Sequence, residues 1–429
     1  MTPHLPVSSS HHAHHLLDPA PHQQQRWRRR RRRTCGPPPP RRARAPPLRC
    51  CAAAAAAPMP REAAPAAAAV TETTRVFVVS DLHTDYPENM EWVRQLPAEV
   101  GARRGEDGVT DALVVAGDVA ETRDNFARTM EVLRERFGAV FYVPGNHDLW
   151  LRREGGRYVS PFPISLPPRS AFRVLQARCL TKCLGMDSLE KLTALLDACS
   201  ELGVDTGPRT IGDLGIVPLF SWYHKSFDKE KDVNSVRVPS LDMACKDFHA
   251  CKWPEDLGND DEALALYFDK LNDKNHDAIE EVKNNSKQIL TFSHFVPRQE
   301  LCPEKRMLYY PYLPKVIGSD FLERRLRAIH SNRKDGTACH VFGHTHFCWD
   351  SVVDEIRYVQ APLAYPRERK RRLNGGEGWL PFCVYRDGFN PEIYPALWSD
   401  YYNKNKREPE NTQLAPWVAR HFAKYHKFH

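Results

Sequence analysis

Five short segments of this chain gather residue types that bind cations and move protons. They are Asp81-Leu82-His83, Gly117-Asp118, Gly145-Asn146-His147-Asp148, Ser293-His294 and Gly343-His344-Thr345-His346. Carboxylates, an amide oxygen and imidazoles together form a mixed O/N donor set of the kind that suits Mn, Fe or Zn. Each segment follows an apolar run rich in Val, Ile or Phe, so each falls where a strand gives way to a loop. A strand end is a rigid post, and metal ligands must be held to within a fraction of an ångström.

The chemistry that such a set suits is hydrolysis of a phosphate ester. The substrate is an anion and repels hydroxide. Two divalent cations about 3.5–4 Å apart can bind the phosphoryl oxygens, deprotonate a bridging water and neutralise transition-state charge. Such a pair needs a bridging carboxylate. Asp118, directly after Gly117 at a strand end, is the natural bridge.

In order, the five segments resemble the DxH, GDxx, GNH(D/E), H and GHxH signature of the calcineurin-like metallophosphoesterases. The resemblance spans residues 75–394, about three quarters of the chain. It implies a four-layer α/β/β/α sandwich with a dinuclear site at the strand ends. It implies that Asp81, His83, His346 and the bridging Asp118 hold one cation, and that Asp118, Asn146, His294 and His344 hold the other. His147 is then no ligand; it stands beside the leaving oxygen as general acid or charge stabiliser, work worth roughly 10²- to 10⁴-fold in rate. The reaction implied is hydrolysis of a phosphomonoester, phosphodiester or pyrophosphate by a metal-bound hydroxide, with a small or medium anionic substrate.

Departures from the pattern narrow the reading. Asp118 is followed by Val119 and Ala120, not by the Tyr of purple acid phosphatases. The Asp-Arg-Gly of Ser/Thr protein phosphatases is replaced by Glu121-Thr122-Arg123. Glu121 still stands where those enzymes place the carboxylate that orients the catalytic histidine, or it is a solvated acid at a helix start. Asp148 is expected to support the turn after the third strand and to bind no metal. Arg152 and Arg153 either clamp substrate phosphate or lie on an exposed helix face. Trp222-Tyr223-His224 is expected near the pocket rim, stacking on substrate or simply packing. Arg367, Arg369, Lys370, Arg371 and Arg372 border the pocket or form a solvated loop.

The elements that must position these residues alternate. Strands are expected at 75–80, 112–116 and 139–143, with helices at 88–96 and 125–137, which predicts a parallel sheet covered by helices. Further on, 188–202 reads as a helix, 215–221 as a strand, 225–257 as irregular and 262–282 as one or two helices. Strands at 288–292, 338–342, 357–360 and 382–385 and a helix at 320–329 complete the set. The long stretch between Asn146 and His294 reads as a cap, residues 149–286, and caps set substrate choice. The phosphoesterase domain is expected over 71–398, followed by a polar basic tail, 399–429, that packs loosely or frays.

Composition locates the charge. The chain carries a formal +7, but residues 1–70 hold twelve Arg and no Lys against two acids, Asp18 and Glu62, so the remaining 359 residues carry a net −3. That balance argues against a surface built to hold nucleic acid, and so against a DNA-end-processing nuclease. A non-catalytic scaffold on the same fold is the other rival; such relatives tend to lose ligands, and here every position is filled. The Arg-rich, acid-poor leader with its Ala and Pro runs reads as disordered and as an organelle transit peptide, marking a plant-type, plastid-targeted member; mitochondrion, cytoplasm and nucleus are the alternatives. No run approaches the ~20 apolar residues of a membrane span. Twelve scattered Cys read as reduced structural thiols, with Cys179 and Cys183 the one pair spaced for redox pairing.

Overall fold

A computed structural model describes residues 73–101, 109–151, 186–254, 256–258, 262–331, 333, 336–372, 375–376 and 378–425. The leader, Arg152, Arg153, Cys179 and Cys183 lie outside the described residues. The chain forms two sheets. One has the order β10-β1-β2-β3 and the other β4-β5-β6-β7-β9-β8. The strands are β1 (Thr73–Val79), β2 (Val109–Ala116), β3 (Ala139–Val143), β4 (Arg209–Ile211), β5 (Leu214–Pro218), β6 (Gln288–Phe292), β7 (Ala338–Phe342), β8 (Trp349–Val353), β9 (Ile356–Gln360) and β10 (Phe382–Arg386).

The first sheet is parallel through β1, β2 and β3 and antiparallel at β10. The second is parallel from β5 through β6 and β7 to β9. Strands buried on both faces read as continuous apolar runs, which is the pattern of Val76–Val79, Leu113–Ala116 and Val140–Val143. One hydrophobic cluster unites both sheets: Val114 and Tyr142 of the first share it with Leu290, Val341 and Val359 of the second.

Helices α1 (Pro87–Arg94), α2 (Arg123–Arg136) and α3 (Ser188–Leu202) pack with the first sheet, burying Val93, Phe126, Met130, Leu133 and Leu195 in that cluster. Helices α6 (Glu262–Leu271), α7 (His276–Asn285) and α8 (Asp320–His330) lie with the second; Ile279, Val282, Leu322 and Ile329 meet Val217 and Ile289 there. The result is the expected mixed α/β, two-sheet architecture of the metallophosphatase type. Two short helices, α4 (Leu241–Ala244) and α5 (Asp247–Ala250), precede α6.

The structure differs from expectation in three places. Residues 149–286 are not a cap throughout: β5 pairs in parallel register with β6 inside the second sheet, because Leu214–Pro218 is buried along its whole length. Strand β8 is absent from the expected set: its second residue, Asp350, breaks the apolar run and is fully buried, paired to Arg357 by two hydrogen bonds of 2.9 and 2.7 Å. The C-terminal segment packs and does not fray. Arg407 donates to Cys302 O at 2.8 Å and to Glu230 at 2.7 Å, Trp417 donates to Met307 O at 3.2 Å, and Val418 is buried. Its helices α10 (Leu397–Tyr402) and α11 (Pro416–Tyr425) cover a second apolar cluster that the sequence's polar character hides. No described helix is long and apolar enough to cross a membrane.

Candidate metal centre

The loops that leave β1, β2, β3, β6 and β7 converge. Asp81, His83, Asp118, His344 and His346 all have left-handed backbone, with φ of 54°, 42°, 55°, 74° and 57°. Non-glycine residues rarely adopt that region, and the strain persists only where surroundings over-determine it. Here the loops are laced together. Asp81 N donates to Gly117 O at 3.0 Å, His83 N to Asp118 O at 2.9 Å and Gly343 N to His294 O at 2.8 Å. Gln360 holds the last loop through Gly343 O and Thr345.

Asp148 ties two of these loops at their root. Its carboxylate accepts the backbone N–H groups of Asp118, Val119, Ala120 and Gly145 at 2.8–3.0 Å and the Tyr142 hydroxyl at 2.9 Å. Burial pushes its pKa up to about 6 against those donors. Both carboxylate oxygens are committed to these donors.

Asp118 is the hub. Its Oδ1 accepts from His147 N at 2.9 Å. Its Oδ2 lies 3.8 Å from His83 Nε2, 3.5 Å from His294 Nε2 and 4.0 Å from His147 Nε2. Burial, then Asp148 and Asp81, push its carboxyl far above the usual range. A buried carboxylate beside two others is unfavourable unless positive charge is supplied.

The donor set fits cations on either side of that hub. On one side, His294 Nδ1 lies 2.9 Å from Ala116 O and His344 Nε2 lies 3.0 Å from Val316 O. A carbonyl only accepts, so those nitrogens carry the protons and the opposite ring nitrogens are bare lone pairs. Burial holds both rings neutral, with His294 driven down to about 3. The bare nitrogens face Asn146 Oδ1, an acceptor, at 3.1 and 3.0 Å. Asn146 cannot turn its amide to relieve this, because its Nδ2 donates to Asp247 Oδ1 at 2.8 Å. Three acceptor atoms that converge with no proton among them suit a cation.

On the other side, His346 Nδ1 is bonded to Glu368 Oε2 at 2.7 Å, and its Nε2 faces His83 Nε2 at 3.0 Å and Asp81 Oδ1 at 3.4 Å. Burial alone would depress His346; Asp81 and Glu368 outweigh it and push its pKa up to about 10. A proton or a cation satisfies these facing donors. For Asp81, burial is likewise outweighed, by His346, His294 and His83, which hold it below the carboxylate range. Asp81, His83 and His346, and Asp81, Asp118 and His294, each offer ligand atoms within 4.8 Å of one another.

His147 leans over this cluster. Its ring lies on the Trp150 indole, centroids 3.5 Å apart, and edge-on to His83 at 4.7 Å. Its Nδ1 is 3.4 Å from Glu121 Oε1, and its Nε2 is 3.5 Å from the Tyr365 hydroxyl. His224 is not in the cluster. The extended chain after β5 turns Tyr223 toward His344, with ring centroids 6.5 Å apart, and sends His224 the other way to bond Ser226 Oγ at 2.6 Å. Trp222 and Tyr223 are fully buried among Trp253, Phe268 and Phe295, so they pack and do not form a rim. The basic run divides: Arg369 donates to Asn89 at 2.8 Å and Arg372 to Pro362 O at 2.6 Å, both as scaffold, while Arg367, Lys370 and Arg371 are exposed.

Sequence reasoning missed Glu368, Asp247, Tyr365 and Trp150. Pro366 at the first position of α9 (Pro366–Arg371), with an acid two residues on, marks a helix start and was the available signal for Glu368.

Residues 74–234 match the family described as calcineurin-like phosphoesterase. The chain is 23% identical over 366 residues to the [acyl-carrier-protein] phosphodiesterase PptH of Mycobacterium tuberculosis, covering 80% of this chain and 93% of that protein. It is similar to the crystal structure of phosphopantetheinyl hydrolase PptH from the same organism, with TM-score 0.48, 22% identity and coverage of 70% and 93%. It also aligns with a putative 5'-nucleotidase from Staphylococcus aureus, with TM-score 0.29, 10% identity and coverage of 67% and 48%. The chain carries a calcineurin-like phosphoesterase domain and is a metal-dependent hydrolase acting on phosphoric ester bonds.

Proposed function

We infer that the site holds two divalent cations, Mn, Fe or Zn, and hydrolyses a phosphodiester. Asp81, His83, His346 and Asp118 would hold one cation, and Asp118, Asn146, His294 and His344 the other. The observation that carries this reading is Asp118 Oδ2, which sits within 4.0 Å of three histidine Nε2 atoms drawn from three different loops. Bound there, the cations would supply Lewis-acid charge for the phosphoryl oxygens and an activated water.

The chain's own residues do the rest. Water adds at phosphorus, one P–O ester bond breaks, and the leaving oxygen takes a proton. His147 donates that proton from Nε2. Glu121 faces Nδ1 and keeps the ring's reactive nitrogen turned toward the cluster, while the Trp150 face and Tyr365 exclude water around it. The products are an alcohol and a phosphomonoester.

The similarity to a curated acyl-carrier-protein phosphodiesterase makes a phosphodiester borne on an acyl carrier protein the first natural substrate to test. Hydrolysis of bis-p-nitrophenyl phosphate and p-nitrophenyl phosphate, with Mn, Zn, Mg or chelator, tests the reaction class. Chelator-sensitive turnover that favours the diester is expected. Preference for the monoester would replace diesterase with phosphatase, and absence of turnover on both esters and on the carrier protein would leave a scaffold. The leader is proposed to direct the chain to plastids; a fluorescent fusion of residues 1–70 that stays cytosolic would refute that.

A further inference from the structure

The segment between β3 and β6 reaches the metal centre through one buried carboxylate. Asp247, the first residue of α5, is 1% exposed. Its Oδ1 accepts from Asn146 Nδ2 at 2.8 Å and from Trp150 Nε1 at 2.6 Å. Asn146 belongs to the loop after β3, and Trp150 is the plane on which the His147 ring lies. The segment around Asp247 is clasped in place: Leu151 N donates to Ala250 O at 2.7 Å, Ser188 N donates to Lys252 O at 2.8 Å, and Lys246 Nζ stands 4.3 Å over the Trp150 ring.

We propose that Asp247 is a positioning residue that sets both halves of the reaction centre, turning the Asn146 carbonyl oxygen toward the cation and fixing the Trp150 platform under His147. An amide has two ends, and only the oxygen can ligate. With Asp247 in place, the Nδ2 end is occupied and the oxygen is left facing His294 and His344. Without it, the amide would flip to donate to the two bare imidazole nitrogens, which removes a ligand and blocks the remaining two. Asp247 Oδ1 also accepts from the indole, so the docking of α5 governs cation and proton donor together. This inference rests on the reading of Asn146 as a ligand.

Mn(II) binding to the metal-stripped full chain, followed by titration calorimetry, tests it without reference to turnover. Two sites are expected in the wild type. Asp247→Ala is expected to weaken one site by roughly 10- to 100-fold. Asp247→Asn retains an oxygen acceptor and is expected to restore affinity to within a few-fold. Unchanged affinity in Asp247→Ala, or a defect in Asp247→Asn equal to that in Asp247→Ala, would overturn the role while leaving the metal centre intact. A wild-type chain that binds no Mn(II) would instead remove the reading of the site, and Asp247's role with it. Where Asp247→Ala fails to fold, the exchanged pair decides. Asn146→Asp with Asp247→Asn rebuilds an amide–carboxylate contact, and it supports the proposal if it binds Mn(II) more tightly than Asn146→Asp alone. No recovery refutes it.

Discussion

Glu368 Oε2 lies 2.7 Å from Nδ1 of His346, so the carboxylate fixes which ring nitrogen carries the proton and aims the other at His83 and Asp81. A carboxylate behind a ligating imidazole raises its basicity and holds its tautomer. Glu368 also closes the first turn of α9 through Tyr365 N. Replacing Glu368 by Gln keeps the shape but removes the charge. The expected outcome is a roughly 10-fold loss of Mn(II) affinity at one site, read by competition with a chelator, with the thermal unfolding of the metal-free chain little changed.

His147 is held between Trp150 and His83, and its Nε2 lies 4.0 Å from Asp118 Oδ2, farther than the Nε2 atoms of His83 and His294. Its removal is expected to spare the metal content and cost about 10²- to 10⁴-fold in kcat on a diester whose leaving group is an ordinary alkyl alcohol. The loss should be smaller on an ester whose leaving alcohol is more acidic, because such an oxygen needs no proton. A His147→Ala variant with equal losses on good and poor leaving groups would exclude the general-acid role. Glu121→Gln, which weakens the 3.4 Å contact to Nδ1, should shift the same dependence in part.

Much of this centre was legible because its atoms sit at strand ends. Val76–Val79, Leu113–Ala116 and Val140–Val143 declare themselves by composition, and Asp81, Asp118 and Asn146 stand two or three residues beyond those runs, in the loops that leave the sheet. The partners of those residues were not legible. Asp247 meets Asn146 across 101 positions and Glu368 meets His346 across 22, on short helices with no apolar periodicity. The strand at β5 is legible but its place in the second sheet is not, because its five residues do not name their neighbours; Trp222 and Tyr223 read as rim aromatics or as packing, and their burial fastens β5 to α6. The C-terminal segment looked loose because its anchor is Arg407, a charge whose guanidinium serves two backbone carbonyls and Glu230.

Two buried histidines outside the proposed ligand set give the fold an acid limit. His330 Nε2 and His340 Nδ1 both reach Thr291 Oγ1, at 3.0 and 2.9 Å, and His340 Nε2 reaches Ser293 Oγ at 3.1 Å. Burial drives His330 down to about 3, with Arg333 adding to the effect, and holds His340 well below its ordinary value. In the unfolded chain both titrate near 6.5. The unfolded state therefore binds more protons below that pH, and stability that is complete above about 6.5 drains away as pH falls toward 3. For His330 the loss between pH 7 and pH 5 is about 2 kcal/mol. Urea unfolding of the metal-free protein at the two pH values measures it. A His330→Gln variant should show a shallower fall, and an unaltered slope would place the acid sensitivity elsewhere.

Gly145 is required by the hub itself. A Cβ at this position would stand 2.1 Å from Asp118 Oδ1 and 2.6 Å from Asp118 N, distances no side chain can accept. The Asp118 backbone cannot yield, because its N–H is bonded to Asp148 and its carbonyl to His83 N. Relief must come from moving the Gly145 backbone away from Asp118 N and rotating the Asp118 carboxylate, which breaks its bond to His147 N and moves Oδ2 away from the three imidazoles. Gly145→Ala is thus expected to lose metal at both sites at once, whereas Glu368→Gln loses it at one. Elemental analysis of the purified variant against wild type distinguishes these outcomes. Retention of both metals in Gly145→Ala would show that Asp118 Oδ2 is not shared between them.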